Sequence, residues 1–212
     1  MKITVLQPNL FPLESYFDIV KKVDKVVFAD DTFYNKKCWV NKTILKKHEQ
    51  RFIFRVAVDT NEEDKKISDL TVSVSNWRKN FLKAVASQYK QSVNFGKVFP
   101  VIKEVIKLPS ENISHIAAYS IFRISDLLNM KTEFSLASVN YKNLEGSFYK
   151  KIISICKQER ANEFYTFGMY RRTFETDFFL RNKIKVSFFS SPERESFSII
   201  DKLMNDETLF KK

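Results

Sequence analysis

The sequence predicts an α/β fold: an N-terminal βαβ unit in a mostly parallel sheet, then a helix-rich middle and a mixed α/β C-terminal part. Three observations carry this. Two short apolar runs, KITVL and KVVFAD, flank an amphipathic stretch within residues 2–30. Helix-period patterns follow one another from residue 76 to 130. Beyond residue 133, strand-like and helix-like runs alternate to the end.

In chain order, residues 2–6 read as a buried strand ended by Gln7-Pro8. Residues 13–23 read as a helix with Leu13, Phe17 and Val20 on one face, and 25–30 as a second strand. Two strands joined through a helix are expected to run parallel. Residues 51–58 are a strand candidate, and 71–75 alternate like an edge strand. Residues 76–91 read as a helix with Trp77, Phe81, Val85 and Tyr89 inward and Asn76 as N-cap. A short helix is expected over 98–108, beginning near Pro100. The strongest helix signal is 111–130, with Ile113, Ile116, Ala117, Ile121, Ile124 and Leu128 on its apolar face.

Residues 133–139 read as a strand and 146–160 as a helix with Phe148, Ile152, Ile155 and Cys156 inward. Strands at 163–167 and 185–190 flank a short helix near 173–180, and 196–206 closes the chain as a helix. No repeat or linker interrupts the 212 residues, so a single domain is expected, with lobes at about 1–75 and 76–212 as the alternative.

Lys plus Arg is 36 against 25 acidic residues, a net charge of +11, which attracts anionic partners. The lysines are spread along the whole chain, as on a solvated basic surface, and no basic run interleaved with aromatics argues for nucleic acid. Only 3 glycines are present, which argues against a glycine-rich phosphate loop and a tightly bound cofactor. Cys38 and Cys156 form no CxxC, and the two histidines have no metal-ligand spacing, so no metal site is expected. No signal peptide or run of about 18 apolar residues occurs, so a cytoplasmic protein is expected.

Chemistry concentrates after the two N-terminal strands. Gln7 and Asn9 follow the first; Asp30, Asp31, Tyr34, Lys36, Lys37, Trp39, Asn41 and Lys42 follow the second. Open parallel sheets bind ligands beyond the carboxyl ends of their strands. Paired carboxylates suit acid/base work or amine binding, lysines an anionic group, and aromatics a ring. Equally, an Asp-Asp pair closes turns, exposed lysines are solvated, and Trp39 can be packing. Cys38, between lysines and tryptophan, lacks a histidine partner placed by the sequence, and Cys156 falls on an apolar helix face. His48 and His115 sit in a charged turn and off a helix stripe, as surface residues do.

QPNLFPLESYF, VDKVVFADD, and then Tyr34, Lys36, Trp39 and Asn41 resemble the WbqC-like protein family. Weaker likenesses continue at Trp77-Arg78-Lys79, Tyr89, Cys156, Phe164-Tyr165, Gly168 and residues 198–201. Three positions depart from the family pattern: Lys42 in place of arginine, Asn80 in place of histidine and Ser15 in place of glycine. The resemblance implies a role in bacterial surface-polysaccharide, especially O-antigen, biosynthesis. It implies transfer of glycine or another acyl group to an amino sugar.

The reaction expected from this is N-acyl or aminoacyl transfer to a nucleotide-linked amino sugar. Asp31, Lys36 and Asn41 are the catalytic candidates; Gln7, Asn9, Asp30, Tyr34, Lys37, Trp39 and Lys42 are the binding candidates. The donor is expected to be a carrier-protein or CoA thioester, and an acidic carrier protein is a candidate partner. The alternatives are a non-catalytic sugar-nucleotide-binding or scaffold protein of the same pathway, and a nucleic-acid binder supported by charge alone.

Overall fold

The computed structural model describes residues 1–47, 50–60, 65–73, 75–190 and 197–210. The chain forms two compact units, each built from several segments. Unit 1 comprises residues 1–7, 15–29 and 130–194; unit 2 comprises 8–14, 30–129 and 195–212.

Unit 1 carries a five-stranded sheet: β1 (Lys2–Leu6), β2 (Lys25–Phe28), β5 (Glu133–Leu136), β6 (Glu163–Phe167) and β7 (Lys185–Phe189). Their order is β5-β2-β1-β6-β7, and every neighbouring pair is parallel. The βαβ expectation holds: α1 (Glu14–Val20) links β1 to β2, and Leu6 lies opposite Phe28 in register. Sheet order reverses between β1 and β6, the switch point of a doubly wound topology.

Helices α5 (Ala137–Asn140), α6 (Phe148–Gln158) and α7 (Thr176–Arg181) complete unit 1. Ile152, Ile155 and Cys156 of α6 face the core with Ile3, Val27, Phe164 and Phe179. Phe164, Phe174 and Phe179 form an aromatic nest, with centroids 5.0–5.8 Å apart. Phe148, expected inward, is instead 53% exposed at the first position of α6, where its ring meets Tyr149 rather than the core.

Unit 2 holds α2 (Trp77–Tyr89), α3 (Phe95–Ile106), α4 (Ile113–Leu127), α8 (Ile199–Asn205), and an antiparallel hairpin of β3 (Lys42–Lys47) and β4 (Gln50–Arg55). Trp77, Phe81, Val85 and Tyr89 of α2 are buried as their spacing predicts. Asn76 precedes α2 but makes no side-chain cap bond. Helix α3 starts five residues before Pro100; the Asn94 side chain does not cap it but donates its amide to the Leu203 and Asp206 carbonyls at the end of α8. Pro100 is the sixth residue of the helix, where it has no N–H to give the carbonyl of Gly96.

Thr71 and Val72 make only isolated bridges, so the expected edge strand at 71–75 does not form among the described residues. The strand expected over 133–139 stops at Leu136, where the chain turns into α5. Helix α4 is buried on most sides: the predicted Ile113, Ile116, Ala117, Ile121 and Ile124 are joined by Ser114, Ser120 and Ser125. Among the described residues, no helix is long and apolar enough to cross a membrane.

Candidate functional site

The site builds up around α4 in unit 2. Asn112 starts α4: its Oδ1 accepts from the backbone N–H of His115 at 3.0 Å, and its Nδ2 donates to Ser68 O at 2.5 Å. Segment 65–68 in turn straps the loop after β2. Ser68 N–H donates to Asp30 O (2.7 Å), Ile67 N–H to Thr32 O (2.9 Å) and Tyr34 N–H to Lys65 O (2.9 Å). Backbone bonding therefore fixes residues 30–34, and with them Asp30, Asp31 and Tyr34. Asp30 is fully buried, with the Ser114 hydroxyl of α4 at 3.5 Å from Oδ2. Asp31 and Tyr34 are half-buried.

Two turns along α4, Ser120 holds the first loop. Its Oγ accepts from Phe11 N–H at 3.0 Å and lies 3.5 Å from Asn9 O. Phe11 adopts a left-handed backbone (φ 42°), a conformation that costs a non-glycine residue about 1–2 kcal/mol. It is held there by bonds on both sides. Ser198 Oγ donates to Phe11 O at 2.7 Å, and Thr43 Oγ1 donates to Leu10 O at 2.7 Å. The Thr43 bond ties the Asn9–Leu10 segment to the start of β3, beside Asn41.

Asn41 is 2% exposed; its Nδ2 donates to Val56 O at 2.8 Å and its backbone O accepts from Val56 N–H at 2.9 Å. This bonding fixes the amide orientation and leaves Oδ1 as the inward acceptor. Asn41 Oδ1 is buried without a hydrogen bond, and so is Asn9 Oδ1. Most buried polar atoms are paired; of the four that are not among the described residues, these two lie on segments tied together by Thr43.

The loop between β2 and β3 carries the remaining candidates. The side chains of Lys36 and Lys37 are exposed. Lys37 N–H is held by Asn35 Oδ1 at 2.9 Å, and Asn35 N–H points to Cys38 Sγ at 3.5 Å. Cys38 is buried in this turn, away from reagents. Lys42 is buried along its stem; Nζ donates to Lys36 O at 2.5 Å and sits 5.4 Å from the Trp39 ring centroid. Burial, reinforced by Arg55, lowers the Lys42 pKa. Lys36, Trp39 and Lys42 are thus brought together, while Trp39 remains 40% exposed.

Gln7 belongs to unit 1, at the carboxyl end of β1. It is half-buried, and its carbonyl accepts the Tyr16 hydroxyl at 3.0 Å. Burial holds the Tyr16 phenol well above its ordinary pKa. Beyond β6, on the other side of the switch point, stands Gly168. A Cβ there would meet Ser190 Oγ at 2.6 Å and Phe189 O at 3.2 Å, so a side chain at this strand end requires the Ser190 hydroxyl to turn away and the backbone of Phe189 to give slightly.

His115 is exposed on α4, and His48 lies outside the described residues. Ser114, Ser120, Thr43 and Phe11 were not singled out from the sequence. The available signal was three serines at buried positions of one helix.

A family model described as the WbqC-like protein family matches residues 7–208. The chain belongs to the WbqC-like protein family. Among curated proteins, this WbqC-like chain is similar to "Uncharacterized protein Rv1507c" of Mycobacterium tuberculosis (strain ATCC 25618 / H37Rv). The two are 22% identical over 190 residues, 89% of this chain and 81% of the relative. No solved structure matches the chain.

Proposed function

We propose that this WbqC-family protein transfers an acyl or aminoacyl group to the amine of a nucleotide-linked amino sugar, in O-antigen or related surface-polysaccharide assembly. The observation that carries this reading is the pair of buried, unpaired amide oxygens, Asn9 Oδ1 and Asn41 Oδ1. Such acceptors call for a ligand that brings N–H or O–H donors. An amino sugar brings both.

In the reaction, a neutral sugar amine attacks the carbonyl carbon of a thioester. A C–N bond forms, the C–S bond breaks, and the thiolate leaves. The surplus amine proton passes to a base, and the developing oxyanion needs a donor. Asp31 is assigned the proton and Lys36 the oxyanion. Asn41 has committed an amide N–H to Val56. It acts through its oxygen, holding the sugar with Asn9. Asp30, buried beside Ser114, orients the loop. Trp39 and Tyr34 offer ring faces to the sugar, and Lys37 offers charge to a diphosphate. Lys42 fixes the Lys36 backbone and Trp39. The donor is a carrier-protein or CoA thioester; the +11 net charge suits an acidic carrier.

The test is mass spectrometry of amino-sugar nucleotides incubated with the protein and acyl or glycyl thioesters. The expected product is the acylated sugar nucleotide. Asp31→Asn and Lys36→Ala are each expected to lower kcat/KM at least about 100-fold, the scale of one acid–base or oxyanion contact. Full activity in both variants would rule out these assignments. Binding of the sugar nucleotide without turnover by any thioester would favour the non-catalytic binding protein.

A further inference from the structure

A half-open groove of about 400 Å³ lies in unit 2 between the β3–β4 hairpin and α2. Its floor is Leu45, Phe52 and Phe54. Leu45 pairs with Phe52 and Thr43 with Phe54, so these side chains share one face of the hairpin. Its wall comes from α2: Asn80, Lys83, Ala84, Ser87 and Gln88, at i, i+3, i+4, i+7 and i+8.

The rings are fixed in orientation. Phe54 stands edge-on to Phe81 at 5.0 Å, and Phe52 edge-on to Phe54 at 6.4 Å. Phe52 is nevertheless 39% exposed. Small Ala84 leaves room opposite. Among the described residues the lining contains Lys46 and Lys83 and no carboxylate. Lys46 Nζ is turned to the Phe197 ring at 5.8 Å, whereas Lys83 is exposed on the α2 wall.

We propose that this groove binds a mononucleotide, its base against Phe52 and its phosphate at Lys83. Each part of the lining asks for a part of that ligand. An exposed, oriented ring offers a π-face to a planar base. The amides of Asn80 and Gln88 and the Ser87 hydroxyl supply donors and acceptors for base edges and ribose hydroxyls. Lys83 supplies a point charge for phosphate. A purely aliphatic ligand would desolvate Asn80, Ser87 and Gln88 without pairing them. An inorganic anion would make no use of the rings. The volume lies in the small-ligand range of about 300–1,000 Å³.

This deepens the function proposed above, since the acceptor there carries a nucleotide. It rests on that reading only for what is joined to the phosphate.

Calorimetric titration of the full chain with UMP, UDP and AMP, beside ribose 5-phosphate and inorganic phosphate, tests it. At least one nucleotide is expected to bind about tenfold or more tighter than ribose 5-phosphate, in line with base–aromatic stacking. Phe52→Ala and Lys83→Glu, both at exposed positions, are each expected to raise its Kd about tenfold or more. Lys90→Ala, exposed just past the end of α2 and outside the lining, is expected to leave it unchanged. Equal binding of ribose 5-phosphate and nucleotides, or groove variants that bind like the natural protein, overturns the assignment. So does an affinity for oligothymidylate that climbs with length, which marks a nucleic-acid strand as the occupant. Nucleotide binding lost in the groove variants, with no turnover by any thioester, would sink the transferase and leave the groove standing. Turnover with unchanged KM in those variants would do the reverse.

Discussion

At the residue scale, Cys156 shows how environment decides chemistry. Cys156 lies in the unit 1 core with no exposed surface, and burial pushes its thiol pKa up to about 12. In the unfolded chain a thiol ionises near its ordinary value of about 8.5. Between these values the unfolded state has released a proton that the folded state retains. Stability is therefore intact below pH 8.5 or so and falls as pH rises, by about 1.4 kcal/mol per pH unit for this one group. Urea unfolding of the natural protein and Cys156→Ala at pH 8 and pH 10.5 reads this directly. The variant is expected to start less stable from the cavity it leaves, but to lose less on alkalisation. Parallel losses in the two proteins would show that the thiol is not held neutral by the core. Phe11 makes the complementary point. Nothing in QPNLFP announces a left-handed phenylalanine, because the conformation is imposed by Ser120, Ser198 and Thr43 from far along the chain.

At the element scale, most of unit 1 was legible, because buried parallel strands read as short apolar runs whatever surrounds them. Strand β3 was not legible. KTILKK holds three lysines in six residues and is a strand through its pairing with β4, and Lys42 is buried with its amine on Lys36 O and near the Trp39 ring. The chemistry-bearing loop was legible from residue types alone, whereas the clamps that fix it come from α4, where serine at a buried position is invisible to a hydrophobic pattern. The start of α4 shows how an element end shapes the cluster. Asn112→Ala removes both the cap on His115 N–H and the donor to Ser68 O. A destabilisation of about 1–3 kcal/mol is expected, seen as a lower urea midpoint with unchanged slope. Asn112→Asp keeps the cap oxygen and loses only the donor, so it should fall between. An alanine variant as stable as the natural protein would mean that the strap over residues 30–34 does not depend on this end of α4.

At the scale of the whole molecule, unit 2 is assembled from three pieces of chain, and its last piece is short. Residues 195–212 contribute α8, whose Ile199, Ile200, Leu203 and Met204 are at most 2% exposed. Burial of four such side chains is worth about 6–12 kcal/mol as an upper estimate. That is comparable with the roughly 5–15 kcal/mol that keeps a whole protein folded. The same piece makes directional bonds: Ser198 N–H to Ile44 O, Ile199 N–H to Pro12 O, and Ser198 Oγ to Phe11 O. These bonds end on β3 and on the strained loop, two of the three segments that meet at the candidate site. Among the described residues, no strand of the parallel sheet lies beyond Phe189. Deletion of 195–212 should therefore act unevenly. Hydrogen exchange is expected to lose protection at unit 2 amides such as Val56, which bonds Asn41 O, and to retain it at Ala29, which bonds Leu6 O beside β1. With Phe11 released from Ser198, the truncated chain should also lose binding of any amino-sugar nucleotide that the full chain holds. Protection that survives alike at Val56 and Ala29 would show that α8 merely decorates unit 2. Loss at both would show that the parallel sheet cannot hold its structure without the rest of the chain.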